Sequence, residues 1–282
     1  MQSFLDYVIE ELGRGNRLEF RDFGVFEVKE RAARQAQNPK TLARVEVPSK
    51  RTVKFKVGRL MRAALEALVR WQVGVPAGLL PPHDQAHIER ELALFPEWCA
   101  RREFGIEWNA GQQASWGRIV MLLAGNALAQ PVVAAHADYT LRNLVPCAPL
   151  PGITGFHAAM AGAISYDLAA LLRDAIVPWD ESQEIDWAVR YWDAARRASL
   201  PVPADFGEFW RALEWMGLQR HLHKMGWFCR LKHEGGRPNA AVDLPRLFDH
   251  ATKVALRYGP LKPLLPLLEP MSRREVSAGF TF

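Results

Sequence analysis

A dense run of basic residues near the N-terminus constrains this chain more than any other feature of its sequence. Residues 29–62 carry eleven Lys and Arg residues against two acids, Glu30 and Glu46. Residues 1–62 together hold 14 basic residues against 8 acidic ones, whereas the rest of the chain holds 22 against 23. All ten tryptophans lie at or beyond Trp71. We therefore predict two regions that differ in composition and in function.

Apolar residues in the first region follow a helical period and then a strand period. The segment Phe4–Leu12 has the i, i+3, i+4 spacing of a short amphipathic helix, and from Leu18 apolar and charged residues alternate as in a half-buried strand. The stretch 30–51 has too few apolar residues to bury a face, and its central turn signal is Asn38-Pro39. These patterns predict a long β-ribbon that projects into solvent or lies on a partner.

The ribbon is basic enough to bind phosphate, because each cation that neutralises a phosphate releases a condensed counterion. A solvated charged loop explains the charge equally well. The run from Arg17 to Arg62 resembles the HU and integration host factor family, in its FGVF (23–26), NPKT (38–41) and FKVG (55–58) motifs. That resemblance implies binding to double-stranded DNA with little sequence preference, through a tip proline that wedges between base pairs. The residues it assigns to DNA are Arg31, Arg34, Pro39, Lys40, Arg44, Lys50, Arg51, Lys54 and Lys56.

The second region has the apolar periodicity of a mainly helical fold. Helices are predicted over 83–103, 111–128, 163–176, 181–198, 204–232 and 243–258, with a short buried strand over 132–136. Asp180 is the predicted N-cap of the fourth of these helices. The fold class is therefore α+β, a short helix and β-ribbon arm followed by a helical lobe. The predicted domains are 1–62, 63–270 and a tail over 271–282.

The sequence HADYTLRNL, residues 136–144, is the strongest candidate for chemistry. A polar loop capped by Asp138 is the structural alternative. The motif resembles the catalytic loop of aminoglycoside phosphotransferases and sugar kinases, in which the aspartate is the base and the asparagine, here Asn143, holds Mg²⁺. With ISYDLAALLRDA and DFGEFWRALEWMGLQRHL, residues 63–268 resemble the C-terminal lobe of bacterial N-acetylmuramate/N-acetylglucosamine kinases. The resemblance places Glu214, Gln219 and Arg220 near the sugar pocket.

Two absences predict that this lobe is not catalytic. The HU-like segment stands where that kinase family has its nucleotide-binding lobe. Gly155 and His157 stand within the position of the family's Asp-Phe-Gln-Asp motif, and neither is a good Mg²⁺ ligand. The sequence thus predicts a non-catalytic, DNA-binding protein with a pseudokinase lobe, in which Asp138 and Asn143 are vestigial. No cofactor is expected, and ATP and Mg²⁺ enter only if kinase activity survives.

Two alternatives to this function remain at the sequence level. In the first, the helical lobe binds and neutralises a protein partner, as an antitoxin or inhibitor does. In the second, a residual phosphotransferase activity acts on an amino sugar or an aminoglycoside. No metal site is predicted, since His221 and His223 sit two apart in a helix and point to different faces. The oligomeric state stays open, because one helix precedes the first strand where the HU family has two.

The cell compartment follows from what the sequence lacks. Cys99, Cys147 and Cys229 form no CxxC pair, which indicates a reducing environment. Acidic residues near the N-terminus do not fit a secretory signal, and no run approaches the roughly 18 apolar residues of a membrane helix. A cytoplasmic bacterial protein without membrane contact is expected. The two resemblances describe a composite chain, whose natural or engineered origin the sequence leaves open.

Overall fold

The computed structural model describes residues 10–20, 24–32, 34–37, 44–47, 49–56, 59–147, 149–174, 179–241 and 244–278. The chain forms two compact units. The N-terminal unit consists of residues 1–64 with 146–151, and the helical unit consists of 65–145 with 152–282. Strands dominate the first and helices the second, which confirms the predicted α+β class.

The N-terminal unit is built from antiparallel strands. Strand β1 (Leu18–Phe20) pairs with β2 (Gly24–Arg31), and β2 pairs with β5 (Lys50–Lys56), so the sheet order is β1-β2-β5. Further out, β3 (Arg34–Gln37) pairs with β4 (Arg44–Val47). The paired strands on either side of Asn38-Pro39 agree with the two extended limbs of the predicted ribbon, whose turn lies outside the described residues. Of the predicted N-terminal helix, residues 10–13 are helical and 4–9 lie outside the described residues.

A single helix contains the sequence-based domain boundary. Helix α1 spans Arg59–Gly74, and its buried positions include Met61, Leu65 and Leu68 at i, i+4 and i+7. This spacing gives the helix one continuous apolar face. The predicted division after residue 62 stays a prediction.

The next predicted helix, over 83–103, is interrupted. Helix α2 spans Gln85–Leu92, with the Asp84 carboxylate accepting the N–H of His87, and a π-helical segment follows over Phe95–Glu103. Pro96 explains the change, because it has no N–H to continue the α-helical bonding and its ring needs room in the preceding turn. Helix α3 then spans Ala110–Leu128 behind a capping box formed by Asn109 and Gln112.

Two short antiparallel pairs frame the chemical centre. Strand β6 (Val132–Ala135) pairs with β9 (Met160–Ala163), and β7 (Leu144–Val145) pairs with β8 (Gly152–Ile153). Strand β6 confirms the predicted buried strand and ends one residue earlier than expected. The segment between β6 and β7 is the predicted catalytic motif, so both of its ends are fixed by sheet hydrogen bonds.

The remaining helices build the core. Helix α4 (Tyr166–Leu172) is buried along its whole length, and α5 (Glu181–Arg197) begins with the predicted Asp180 in a capping box. Helix α6 (Phe206–His233) runs through the core, followed by α7 (Leu244–Arg257) and α8 (Leu265–Ala278). Helix α8 extends into the segment that the sequence analysis set aside as a tail. Among the described residues, no helix is both long and apolar enough to cross a membrane.

Candidate active site

The loop between β6 and β7 is held by a buried carboxylate. Asp167, at the start of α4, accepts the N–H of His136 at 2.6 Å through Oδ2 and the N–H of Ala137 at 3.0 Å through Oδ1. Ala137 has φ +72°, in the left-handed region that a non-glycine residue rarely adopts. Burial raises the pKa of Asp167 to about 6, although the two N–H bonds oppose that rise. The clamp therefore fixes a strained turn immediately before Asp138.

The His136 imidazole supports the same turn from the other side. Its Nε2 lies 2.9 Å from the Thr154 carbonyl oxygen, and its Nδ1 lies 3.3 Å from the Asp138 N–H. These contacts assign the proton to Nε2, which donates, and leave Nδ1 to accept. Burial lowers the pKa of His136, which keeps the ring neutral at physiological pH. The imidazole is thus a structural part of the loop rather than a base.

Asp138 and Asn143 are brought together as the motif predicts. The Nδ2 of Asn143 donates to the Asp138 carboxylate Oδ2 at 2.9 Å and to the Asp138 carbonyl at 2.8 Å. The other carboxylate oxygen, Oδ1, has no hydrogen-bond donor among the described residues, and its nearest cation is Lys224 Nζ at 3.9 Å. Oδ2 is therefore fixed by Asn143, whereas Oδ1 is buried in a side chain that is 37% exposed as a whole.

Gly155 lies against Asn143, where the sequence argument expected a metal ligand. It has φ +78°, and a Cβ built on it would lie 3.1 Å from Asn143 Cγ. Thr154, between strand β8 and Gly155, donates its N–H to the Asn143 carbonyl oxygen at 2.9 Å. This hydrogen bond holds the segment that contains Gly155 beside the loop. Gly155 thus lies beside Asn143 and offers no side-chain oxygen, and its assignment to the metal-ligand position of the family stays a prediction. His157 is exposed.

Cationic side chains of α6 surround the loop. Arg220 donates to the Ala137 carbonyl at 3.3 Å, and its guanidinium lies 4.5 Å from the centre of the Tyr166 ring. Lys224 is mostly buried, and burial lowers its pKa. Between the loop and α6 is a small cavity that suits an anionic group. Its lining residues are Thr140, Arg142, Ala170, Arg173, Asp174, Arg220, His221, Lys224 and Phe228.

The other two residues predicted near the sugar pocket have different surroundings. Glu214 is buried and accepts hydrogen bonds from Arg173 at 3.1 Å, Arg257 at 2.5 Å and Tyr258 at 2.5 Å. Its carboxylate is therefore committed to an ion network within the core. Gln219 is also buried, and both polar atoms of its side chain lack partners among the described residues. Of the three predicted residues, Arg220 alone contacts the catalytic loop in the described structure.

The residues predicted to bind DNA fall on the ribbon strands. In the register of β2 and β5, Arg31 faces Lys50, and Lys54 faces Glu27. Pro39 and Lys40 lie outside the described residues. The strand positions of the other predicted residues are Arg34 on β3, Arg44 on β4, and Arg51 and Lys56 on β5.

Sequence reasoning missed Asp167 and Lys224. A signal for Asp167 was available, since it is the lone charge in the apolar run of α4, and a charge in such a run needs buried partners. Lys224 carried no such signal. Its approach to Asp138 depends on the packing of α6 against the loop, which periodicity alone does not fix.

Comparison with known proteins gives two matches that follow one another along the chain. Residues 46–209 match a family described as phosphotransferase enzyme family, and residues 1–66 match one described as bacterial DNA-binding protein. Over 224 residues the chain is 42% identical to an N-acetylmuramate/N-acetylglucosamine kinase of Neisseria meningitidis, and the match covers 79% of this chain and 67% of that kinase. Over 67 residues it is 45% identical to a probable DNA-binding protein HU of Chlamydia pneumoniae, covering 23% of this chain and 67% of that protein.

Among solved structures, an ethanolamine kinase of Plasmodium vivax matches with a TM-score of 0.43 at 9% identity, covering 89% of this chain and 85% of that one. The chain spans 62–67% of the length of the curated kinases it matches.

The comparisons overturn the expectation of a non-catalytic binding protein. The relatives that match most of the chain, at 40–42% identity, are kinases. The pseudokinase assignment is therefore not supported, and the expectation that no cofactor is used is corrected with it. The expectation rested on the missing carboxylate at Gly155 and on the HU-like segment in place of a nucleotide-binding lobe, whereas the loop from His136 to Asn143 is intact.

Proposed function

Because this chain belongs to the phosphotransferase enzyme family, we propose that it transfers the γ-phosphoryl group of ATP to a hydroxyl of an N-acetylated amino sugar. The observation that carries this proposal is the Asp138 carboxylate, which accepts a hydrogen bond from Asn143 through Oδ2 and belongs to a side chain that is 37% exposed. The names of the kinase relatives supply the substrate class, N-acetylmuramate and N-acetylglucosamine.

The chemical step follows from the position of Asp138. The Asp138 carboxylate accepts the proton of the sugar hydroxyl while the hydroxyl oxygen bonds to the γ-phosphorus. The bond between that phosphorus and the β–γ bridging oxygen breaks, and ADP leaves. Asn143 keeps the carboxylate oriented, and Asp167 holds the turn that presents it. Positioned bases of this kind contribute about 10²- to 10⁴-fold to rate.

Mg²⁺ is the cofactor that this chemistry implies, and the loop fits it in part. Since Asn143 turns its Nδ2 towards Asp138, its Oδ1 is free to be the hard oxygen ligand that Mg²⁺ prefers. Phosphate oxygens and water complete such sites, which use few protein ligands. When bound, the ion neutralises charge that develops on the phosphates. Gly155 adds no ligand to this set.

The cations of α6 support the same assignment. Arg220 and Lys224 place positive charge beside the loop, and Arg142 lines the same small cavity. Phosphate groups of ATP need such compensation, because their negative charge otherwise repels the Asp138 carboxylate. The lowered pKa of Lys224 does not prevent this role, since an anion close to the amine favours its charged form.

The direct test is turnover by the full chain. ADP formation is measured with ATP, Mg²⁺ and either N-acetylglucosamine or N-acetylmuramate, for wild type and Asp138→Asn. We expect Asp138→Asn to lower kcat by about 10³-fold with little change in KM, because the amide cannot take the proton. The matched control is Asp186→Asn, in an exposed pair with Arg190 at 2.9 Å, which should leave kcat unchanged. Wild type without turnover on either sugar, or a fully active Asp138→Asn variant, would refute the assignment.

We also propose that the ribbon binds double-stranded DNA, in addition to the catalytic activity. The observation that favours this second function is the β2–β5 register, which sets Arg31 against Lys50 at one end of a run of basic residues. Binding should weaken steeply between about 50 and 200 mM salt, since it rests on counterion release. Anisotropy of a labelled duplex, titrated at both salt concentrations, measures this dependence. Absence of binding at the lower concentration would contradict the proposal.

A further inference from the structure

Three imidazoles in the helical unit converge on one carboxylate, beside Tyr166, whose ring contacts that of His83 at a centroid distance of 5.2 Å. The Glu91 Oε2 lies 3.4 Å from His83 Nε2, and its Oε1 lies 3.6 Å from His87 Nε2 and 3.4 Å from His223 Nδ1. The side chain of His83 is buried, and that of Glu91 is 15% exposed. The side chains of His87 and His223 are more open, at 39% and 19% exposed.

The local sequence explains why these groups meet. His87 and Glu91 are four residues apart on α2, which puts them on one face of the helix. His83 precedes the Asp84 N-cap, and its ring lies edge-on to that of His87 with centroids 5.1 Å apart. His223 comes from α6, far away in sequence. Its neighbour His221 points elsewhere, to the Arg173 carbonyl at 2.9 Å, as the predicted helical spacing requires.

The cluster brings together the donor types of a transition-metal site. One carboxylate and three imidazoles meet in the part of the chain that the structure describes, and each imidazole places a ring nitrogen within 3.6 Å of a Glu91 oxygen. Ionised carboxylate and neutral imidazole are the forms that ligate metals.

We propose that His83, His87 and Glu91 bind one divalent transition-metal ion, with Zn²⁺ as the best match, and that His223, whose Nδ1 lies 3.4 Å from Glu91 Oε1, turns to supply the fourth ligand. The ligand atoms of His83, His87 and Glu91 all lie within 4.8 Å of one another. Tetrahedral zinc with bonds of about 2.0–2.1 Å separates its ligand atoms by roughly 3.3 Å. The distances from Glu91 Oε1 to His87 Nε2 and His223 Nδ1, 3.6 and 3.4 Å, are close to that value, and His83 Nε2 lies 3.4 Å from the other oxygen of the same carboxylate. Imidazole nitrogen with one carboxylate suits zinc better than Mg²⁺.

The ligand count points to a structural role. Four protein ligands close a zinc site, whereas catalytic zinc keeps an open position for water. The ion would tie the start of α2 to α6, one residue before Lys224, whose amine lies 3.9 Å from Asp138. Metal binding here should therefore raise thermal stability, and it supplies no step of phosphoryl transfer.

The test titrates the full chain, freed of metal, with Co²⁺ and then with Zn²⁺ as competitor. Visible absorption reports tetrahedral Co²⁺, and a thermal melt reports the stability gained from Zn²⁺. We expect one ion per chain and a rise in Tm. His87→Ala and His223→Ala should each weaken binding by about 100-fold, on the order of the largest effects seen when the supporting shell of a metal site is removed. His233→Ala is the control, since His233 lies at the end of α6 and contacts Glu103 at 2.8 Å.

The outcomes separate this site from the catalytic proposal. Unchanged Co²⁺ affinity in both His87→Ala and His223→Ala would overturn the proposal, as would the absence of saturable tetrahedral absorption in wild type. Far-UV circular dichroism of the variants checks that each folds, and the half-exposed His87 is the safer position if His223→Ala does not. A His87→Ala or His223→Ala variant that loses metal binding but keeps kinase turnover supports the structural site. Asp138→Asn tests only the catalytic proposal, and it should lose turnover while it still binds the metal ion.

Discussion

The candidate function of the N-terminal ribbon and that of the helical unit depend on single residues to different degrees. In the ribbon, the candidate function is spread over basic positions repeated along paired strands, such as Lys54 and Lys56 on β5. In the helical unit, it depends on a few groups held at 2.6–3.0 Å, such as Asp167 on the His136 and Ala137 N–H groups. Substitutions should therefore have graded effects in the first region and abrupt ones in the second.

The physical cause is the range of the interactions involved. Attraction between lysines and phosphates extends over roughly 8–10 Å at physiological salt, so neighbouring cations substitute for one another. Proton transfer and buried ion pairing depend on contact distances, and a missing partner leaves the other group desolvated and unpaired. The comparison predicts an order of effect sizes, from the buried network of the helical unit down to single lysines of the ribbon.

The largest effect is expected at Glu214, in the core of the helical unit. Its carboxylate is almost fully buried and pairs with Arg173, which is buried as well. Glu214→Gln removes the charge and leaves Arg173 with Glu184, at 3.2 Å, as its remaining ion pair. Breaking a buried pair costs about 3–5 kcal/mol, and we expect the lower end because Glu184 remains. Urea unfolding followed by circular dichroism measures the free energy of unfolding.

The control for Glu214 lies in the same network but at the surface. Glu181 pairs with Arg257 and is 55% exposed, so Glu181→Gln should cost less than about 1 kcal/mol. Equal losses of unfolding free energy in Glu214→Gln and Glu181→Gln would show that burial does not determine how much a broken ion pair destabilises the fold. Such a result would remove the contrast between the two regions.

Much of this architecture could be predicted from sequence, because it rests on local patterns. The helix over 111–128 and the Asp180 cap were both found almost as predicted, since periodicity and capping are written in adjacent residues. The juxtaposition of Asp138 and Asn143 was also predictable, because five residues separate them within one loop.

The rest depended on contacts between distant segments. Glu214 and Arg173 are 41 residues apart, and no local pattern indicates that they form an ion pair. The position of Glu214 near the sugar pocket, which the resemblance to sugar kinases implies, stays a prediction. A proline such as Pro96 can either end a helix or widen it into a π-helical segment, and the proline alone does not decide between the two. The cluster of His83, His87, Glu91 and His223 joins two helices, and the sequence analysis considered only the adjacent pair His221 and His223.

A smaller effect is expected at Gly155, which tests how far the catalytic loop depends on one position. Gly155→Ala should lower kcat several-fold, because its Cβ lies 3.1 Å from Asn143 Cγ and the backbone has φ +78°. Gly155→Asp meets the same crowding, but its carboxylate adds a hard oxygen ligand beside Asn143. We expect it to raise kcat about tenfold over Gly155→Ala, equivalent to about 1.4 kcal/mol. Steady-state kinetics across a Mg²⁺ titration measure both, and a carboxylate that lowers kcat further would contradict the assignment of Asn143 to the metal.

The smallest effect is expected for single charges on the ribbon, where the β2–β5 register supplies an opposed pair. Lys54 is the register partner of Glu27, so an acidic and a basic residue occupy paired positions of the two strands. Lys54→Gln should weaken binding a few-fold and reduce the magnitude of the salt slope by about 0.9, the amount for one phosphate contact. Glu27→Gln should strengthen binding by a similar factor, because it removes an anion that repels phosphate and competes for Lys54. Anisotropy titrations of both variants at several salt concentrations measure these opposite shifts. A loss of more than about 100-fold from Lys54→Gln alone would mean that the ribbon, like the catalytic loop, depends on a single contact.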